Sequence, residues 1–160
     1  MARRIYLSFH VERDLWRANQ VRGAQVLAAM ERVGFFVPAE YQAAKVANEA
    51  VRDGLIAARL EGTSVTVVLI GKQTATRDWV QREVELSVAR GNGLLGIRIH
   101  HLRDHEGTYD WFPGPTPSVP AGVSFPVFEW DHDLRRLARE IEAVGRRADA
   151  RRAGREQTRG

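Results

Sequence analysis

Residues 63–70 read TSVTVVLI, and their reading decides the fold. The run is nearly continuous in β-branched and aliphatic side chains, which is the composition of a strand buried on both faces. Gly71 and Lys72 end it. Downstream, Thr74 or Thr76 is placed to cap a helix over about 77–90, and Gly91 and Gly93 stop that helix. Residues 94–99 (LLGIRI) form the next strand. Upstream, 45–60 reads as a helix with Val51, Leu55, Ala58 and Ile56 turned inward, and 35–44, with Pro38, as an irregular connection. A further helix is expected over about 15–33, stopped by Gly34, and 4–9 (RIYLSF) is an opening strand. At the other end, five of the six prolines fall in 112–126, a long loop. Residues 126–130 can add a short strand, and Asp131 can cap a last helix from about 132.

Strands alternating with helices imply an α/β domain with a mostly parallel sheet covered on both faces. It is expected over 1–145, followed by a basic, frayed tail at 146–160. Open sheets of this kind bind ligands beyond the carboxyl ends of their strands, which marks residues 8–10, 71–76 and 100–101.

The length, 160 residues, suits one domain, and the 44% hydrophobic and 28% charged content argues against disorder. There is no cysteine, which excludes disulfides, thiolate metal sites and a cysteine nucleophile. The net charge of +4 invites a nucleic-acid reading. However, residues 146–160 hold six arginines against Asp149 and Glu156, leaving 18 basic and 18 acidic groups in the rest. The body is neutral, the tail lacks the aromatics that stack on bases, and no nucleic-acid partner is expected. No apolar run is long enough for a membrane span or signal core, so a cytoplasmic location is expected.

The sequence has no G-x-G-x-x-G, no phosphate-binding G-x-x-x-x-G-K-[ST] and no G-x-S-x-G elbow. His100, His101 and His105, with Asp104, were weighed as metal ligands. Adjacent strand residues point to opposite faces and 103–107 reads as a turn, so no metal is expected. On the first helix, Trp16, Asn19 and Arg22 share one face, and Arg22 can reach a phosphate or carboxylate. On the third, Trp79 and Glu83 are one turn apart beside the buried stripe of Val80, Val84 and Ser87, whereas Glu85 points away. A carboxylate beside an indole is partly desolvated, and such a group can act as a base or stabilise a developing cation. The plain alternative is a surface glutamate paired with Arg82 or Arg90.

The stretch Ile5-Tyr6-Leu7-Ser8-Phe9-His10 resembles the opening strand of TIR domains. Ser8-Phe9-His10 followed by residues 14–22 (DLWRANQVR), 63–71, Trp79-Val80 through Glu83, and 93–97 together resemble the TIR-like subunit of the Thoeris bacterial anti-phage system. The likeness covers about 3–107. It implies a flavodoxin-like TIR fold and cleavage of the nicotinamide–ribose bond of NAD. The implied product is a cyclic ADP-ribose-type nucleotide that activates a separate effector after a phage-derived trigger. The Trp79/Glu83 pair fits the family's catalytic pattern, which implies Glu83 as the catalytic residue. Phe9, His10 and Trp79 would line the pocket, and Asn19 and Arg22 would hold ribose or pyrophosphate. NAD enters as substrate, with no resident cofactor. Two alternatives remain: a non-catalytic TIR-like assembly module, and a nucleoside deoxyribosyltransferase-like enzyme. The sequence leaves a homo-oligomer open.

Overall fold

In the computed structural model, which describes residues 3–24 and 32–160, five parallel strands form one sheet in the order β2-β1-β3-β4-β5. The strands are β1 (Arg4–Ser8), β2 (Arg32–Gly34), β3 (Val65–Ile70), β4 (Gly93–Arg98) and β5 (Val127–Glu129). This is the flavodoxin-like order, with β3 central and buried throughout. The helices are α1 (Val11–Arg22), α2 (Pro38–Lys45), α3 (Glu49–Leu60), α4 (Asp78–Arg90) and α5 (Leu134–Arg159). The fold is α/β, as the alternation of elements implies.

Strand alternation sorts the core into two layers. Val68, Ile70 and Leu94 pack on Val80 and Val84 of α4. Ile5, Leu7, Val65, Val67, Leu95 and Ile97 share the larger cluster with Ala18 and Val21 of α1 and Ile141 and Val144 of α5. Where α5 crosses β4, a side chain on Gly93 would meet the Val144 carbonyl at 2.7 Å, so the close approach needs glycine.

Several boundaries differ from the sequence expectations, each for a local reason. The first helix starts at Val11 because the His10 side chain caps it, accepting from the Arg13 N–H at 3.3 Å. The expected helix over 15–33 ends at Arg22; its residues 25–31 lie outside the described residues, and Val33 and Gly34 belong to β2. A three-residue strand carrying an arginine and a glycine has no alternation to announce it. Residues 38–45 form a helix, not an irregular connection: Pro38 occupies its first turn, where no N–H is needed. Asn48 then caps α3, accepting from the Val51 N–H at 2.9 Å. Ile56 faces inward as expected, together with Leu60, whereas Val51, Leu55 and Ala58 are exposed. Neither Thr74 nor Thr76 caps α4; Thr74 Oγ1 instead accepts from the Gly71 N–H at 2.8 Å. Asp133, not Asp131, caps α5. Residues 146–160 continue α5 as a largely solvated helix.

The proline-rich segment 112–126 takes the place of a crossover helix between β4 and β5. Val119, Val123 and Phe125 pack beside α4, and Gln81 donates to the Ser118 carbonyl at 3.0 Å. Among the described residues no helix is long and apolar enough to cross a membrane.

Candidate active site

Glu83 enters the core because α4 packs across β1. Tyr6 and Ser8, two apart on β1, face the same side and both donate to its carboxylate, Ser8 Oγ at 2.8 Å from Oε1 and Tyr6 Oη to Oε2. Only 2% of Glu83 is exposed. The surface pairing with Arg82 or Arg90 is not what forms: Arg82 binds Asp53 at 2.6 Å and Glu85 at 2.9 Å.

Burial pushes the Glu83 carboxyl up to about 8, against the opposing pull of Tyr6, Ser8 and the Trp79 indole. The indole N–H lies close but lacks the geometry of a full hydrogen bond. The folded protein therefore holds a proton that the unfolded chain releases near 4.5. Stability drawn from this group is full below that value and is lost as pH rises to about 8. Urea unfolding of wild type and Glu83→Gln at pH 5 and 8 checks this. Wild type should lose on the order of 3 kcal/mol relative to the variant across that interval. Equal losses would contradict the assignment.

Trp79, one turn before Glu83 on α4, anchors an aromatic cage. The Trp79 ring meets Phe36 edge-on at 5.2 Å and Tyr41 at 5.0 Å. Beside the cage opens a cleft lined by Tyr41, Lys45, Arg52, Thr76, Arg77, Asp78 and Trp79. Lys45 and Arg77 reach Glu12 at 3.1 and 3.6 Å, so one carboxylate faces two cations at its rim. The cleft sets two aromatic side chains beside three cations, which suits a ligand with a flat ring and an anionic chain, while Glu83 itself stays buried and off the cleft wall.

The structure brings together some of the residues expected from sequence. Trp79 and Glu83 are adjacent. Phe9 is buried in the same core cluster as Trp79. His10 is buried close enough to Arg77 to feel its charge; burial first, then Arg77, lowers its pKa to about 4. The ring is thus neutral near pH 7, and because Nδ1 accepts the cap bond, Nε2 carries the proton. Asn19 is exposed on α1, and the Arg22 guanidinium lies over the Phe35 ring at 4.4 Å. Neither touches the Glu83 carboxylate. The cations at the cleft are Lys45, Arg52 and Arg77, which no spacing in the sequence singled out. Tyr6 was also missed, although its position two before Ser8 was the available signal.

His100 and His101 do not point to opposite faces. They follow β4 in a turn, with ring centroids 4.0 Å apart. Glu129 joins them, with ligand-type atoms of all three within 4.8 Å, whereas His105 lies near Glu106 instead.

Behind the aromatic cleft, α1 is locked to the loop that follows β4. Arg17 is 1% exposed and its guanidinium binds Asp14 at 2.8 Å, the Leu102 carbonyl at 2.8 Å and the Thr108 carbonyl at 3.1 Å. Asp110 closes the group with two bonds from Arg13 at 2.9 and 3.0 Å. Asp14 is wholly buried against Gly71, and burial raises its pKa while Arg17 opposes the rise.

Residues 6–104 match the family model for the Thoeris protein ThsB, TIR-like domain. The chain is also 36% identical over 139 residues to a Bacillus cereus (strain MSX-D12) protein, named provisionally as cyclic ADP-D-ribose synthase ThsB1. That match spans 81% of this chain and 72% of the relative.

Proposed function

Because the chain belongs to the Thoeris ThsB TIR-like family, we propose that it cleaves the nicotinamide–ribose bond of NAD and makes a cyclic ADP-ribose-type nucleotide. The observation that carries this reading is Glu83, buried under Trp79 and held by Tyr6 and Ser8. The relative's name supports the same chemistry.

In the proposed reaction the C1′–N bond breaks, its electron pair goes to the nicotinamide ring nitrogen, and neutral nicotinamide leaves. The ribose gains oxocarbenium character, which the Glu83 carboxylate stabilises, as carboxylates do in glycoside hydrolysis. A nucleophile of the same molecule then attacks C1′ and loses its proton, giving nicotinamide and a cyclic nucleotide. Admission of water would give the linear product. Glu83 is 2% exposed and does not line the cleft, so side chains beside Trp79 must shift for a ribose to reach it. Arg77, Lys45 and Arg52, on the cleft wall with Trp79, would take the pyrophosphate. Asn19, exposed on α1, and Arg22, stacked over Phe35, are given no part in this version. No resident cofactor takes part; NAD is the substrate. The product would diffuse to a separate effector after a phage-derived trigger.

The purified chain, taken from cells before and after infection, is incubated with NAD and with deoxyribonucleosides, and released bases are followed by chromatography. Nicotinamide release from NAD alone is expected, and base release from deoxyribonucleosides instead would favour the transferase alternative. Arg77→Ala should raise KM for NAD about tenfold with kcat changed much less, the loss of one charge-assisted contact. An unchanged KM would remove Arg77 from the substrate site.

A further inference from the structure

The basic end of α5 lines a second cleft, at the amino edge of the sheet and away from the carboxyl edge where Ser8 and Trp79 lie. There α5 passes the turn that enters β4 and the tip of the proline-rich loop. The walls are Val88, Gly91 and Asn92 on one side, Ala121, Gly122 and Val123 on another, and Arg151, Arg152 and Arg155 on the third. The cavity between them is about 250 Å³ and opens to solvent.

No acid lines this cleft. Of the two acids in the same stretch of α5, Asp149 is engaged by Arg3 at 2.8 Å and Glu156 is not on the wall. Among the described residues neither Arg151 nor Arg155 pairs with a carboxylate. Arg152 is fixed: one guanidinium nitrogen donates to Asn92 Oδ1 at 2.9 Å, and Asn92 donates in turn to Thr63 and Thr66 at 3.0 and 3.2 Å. Its Nε–H is buried with no acceptor, close against Gly91, whose φ of 90° and bare Cα permit the approach. Three arginines therefore line one concavity without a counter-charge among the described residues, and one of them is held in place by Asn92. Like charges held together this way repel, and an anion bridging them removes that cost. Arginine forks match phosphoryl oxygens, and three positive charges exceed the roughly −1.5 to −2 that one phosphate group carries.

We propose that this cleft binds an anion with two or more linked phosphoryl groups, at a site separate from Glu83. A nucleoside triphosphate and an inorganic polyphosphate share that chemistry. The site is not isolated from the rest of the molecule. From Asn92 the bonds continue through Thr66 to Ser87 at 2.8 Å and from Ser87 to the Glu83 carbonyl at 2.7 Å. The inference does not depend on what Glu83 does.

Isothermal titration of the full chain with inorganic tripolyphosphate, with ATP and with a short DNA duplex, at one fixed salt concentration, tests it. Saturable one-to-one binding of tripolyphosphate, ATP or both is expected; binding of ATP alone identifies a nucleotide as the source. The double variant Arg151→Ala/Arg155→Ala changes two exposed residues and should keep its fold and Tm while losing affinity tenfold or more. Arg135→Ala, an exposed arginine near the start of the same helix and off the cleft wall, should bind as wild type does. Absence of saturable binding to both phosphates would overturn the proposal. So would equal binding by the double variant, loss of binding in Arg135→Ala, or binding of the duplex alone.

Discussion

Glu83→Gln is expected to reduce nicotinamide release from NAD by about a thousandfold or more, the scale seen when a preorganised electrostatic partner of a transition state is removed. The amide keeps the shape of the carboxyl; its oxygen can accept from one of Tyr6 and Ser8 and its NH2 can donate to the hydroxyl oxygen of the other, so the fold should survive. It cannot carry the charge that opposes the developing oxocarbenium ion. The neutral residue also suits its buried site at pH 8 better than a carboxylate does, so lost activity should accompany equal or higher stability there. That opposition separates a catalytic role from a structural one. If Glu83 only held α4 against β1, Glu83→Gln would change stability and leave turnover alone. Activity rising with pH toward 8 in wild type would fit the same account, because the charged form is the working one.

The second large effect is on stability. Arg17→Ala should cost about 3–5 kcal/mol, because it leaves Asp14 buried and uncompensated and strips two loop carbonyls of their donor. In a domain of this size the melting temperature should fall on the order of 10 °C. The double variant Asp14→Asn/Arg17→Met should recover much of the loss, since replacing both partners removes the stranded charge. A cost below about 1 kcal/mol for Arg17→Ala would place the pair with ordinary surface ion pairs and contradict the burial that defines it.

How much of this was legible depends on which signals are local. TSVTVVLI reads as a central strand in any context, and it is one. Trp79 and Glu83 share a helix face by spacing alone, and the structure adds that both are buried. What spacing could not supply is the depth of Glu83, which depends on Tyr6 and Ser8 arriving from a strand more than seventy residues earlier. The inward face of α3 was half legible: Ile56 was expected inside and is, but Val51 and Leu55 fall on a second apolar stripe that the packing leaves in solvent, and spacing alone does not say which stripe meets the core. β2 escaped notice since three residues carry no period. Lys45, Arg52 and Arg77 come from three segments with no shared pattern, so only the folded chain shows them at one cleft. Counting charge located the basic excess in 146–160, yet counting could not show three of those arginines lining one cavity.

The central claim is that this chain turns NAD into nicotinamide and a cyclic ADP-ribose-type nucleotide through Glu83. The most direct measurement is mass spectrometry of small molecules from phage-infected cells carrying the wild-type chain or Glu83→Gln at matched protein levels. The account predicts nicotinamide and a nucleotide with the mass of cyclic ADP-ribose in the first and neither above background in the second. The same nucleotide at the same level in both would contradict it.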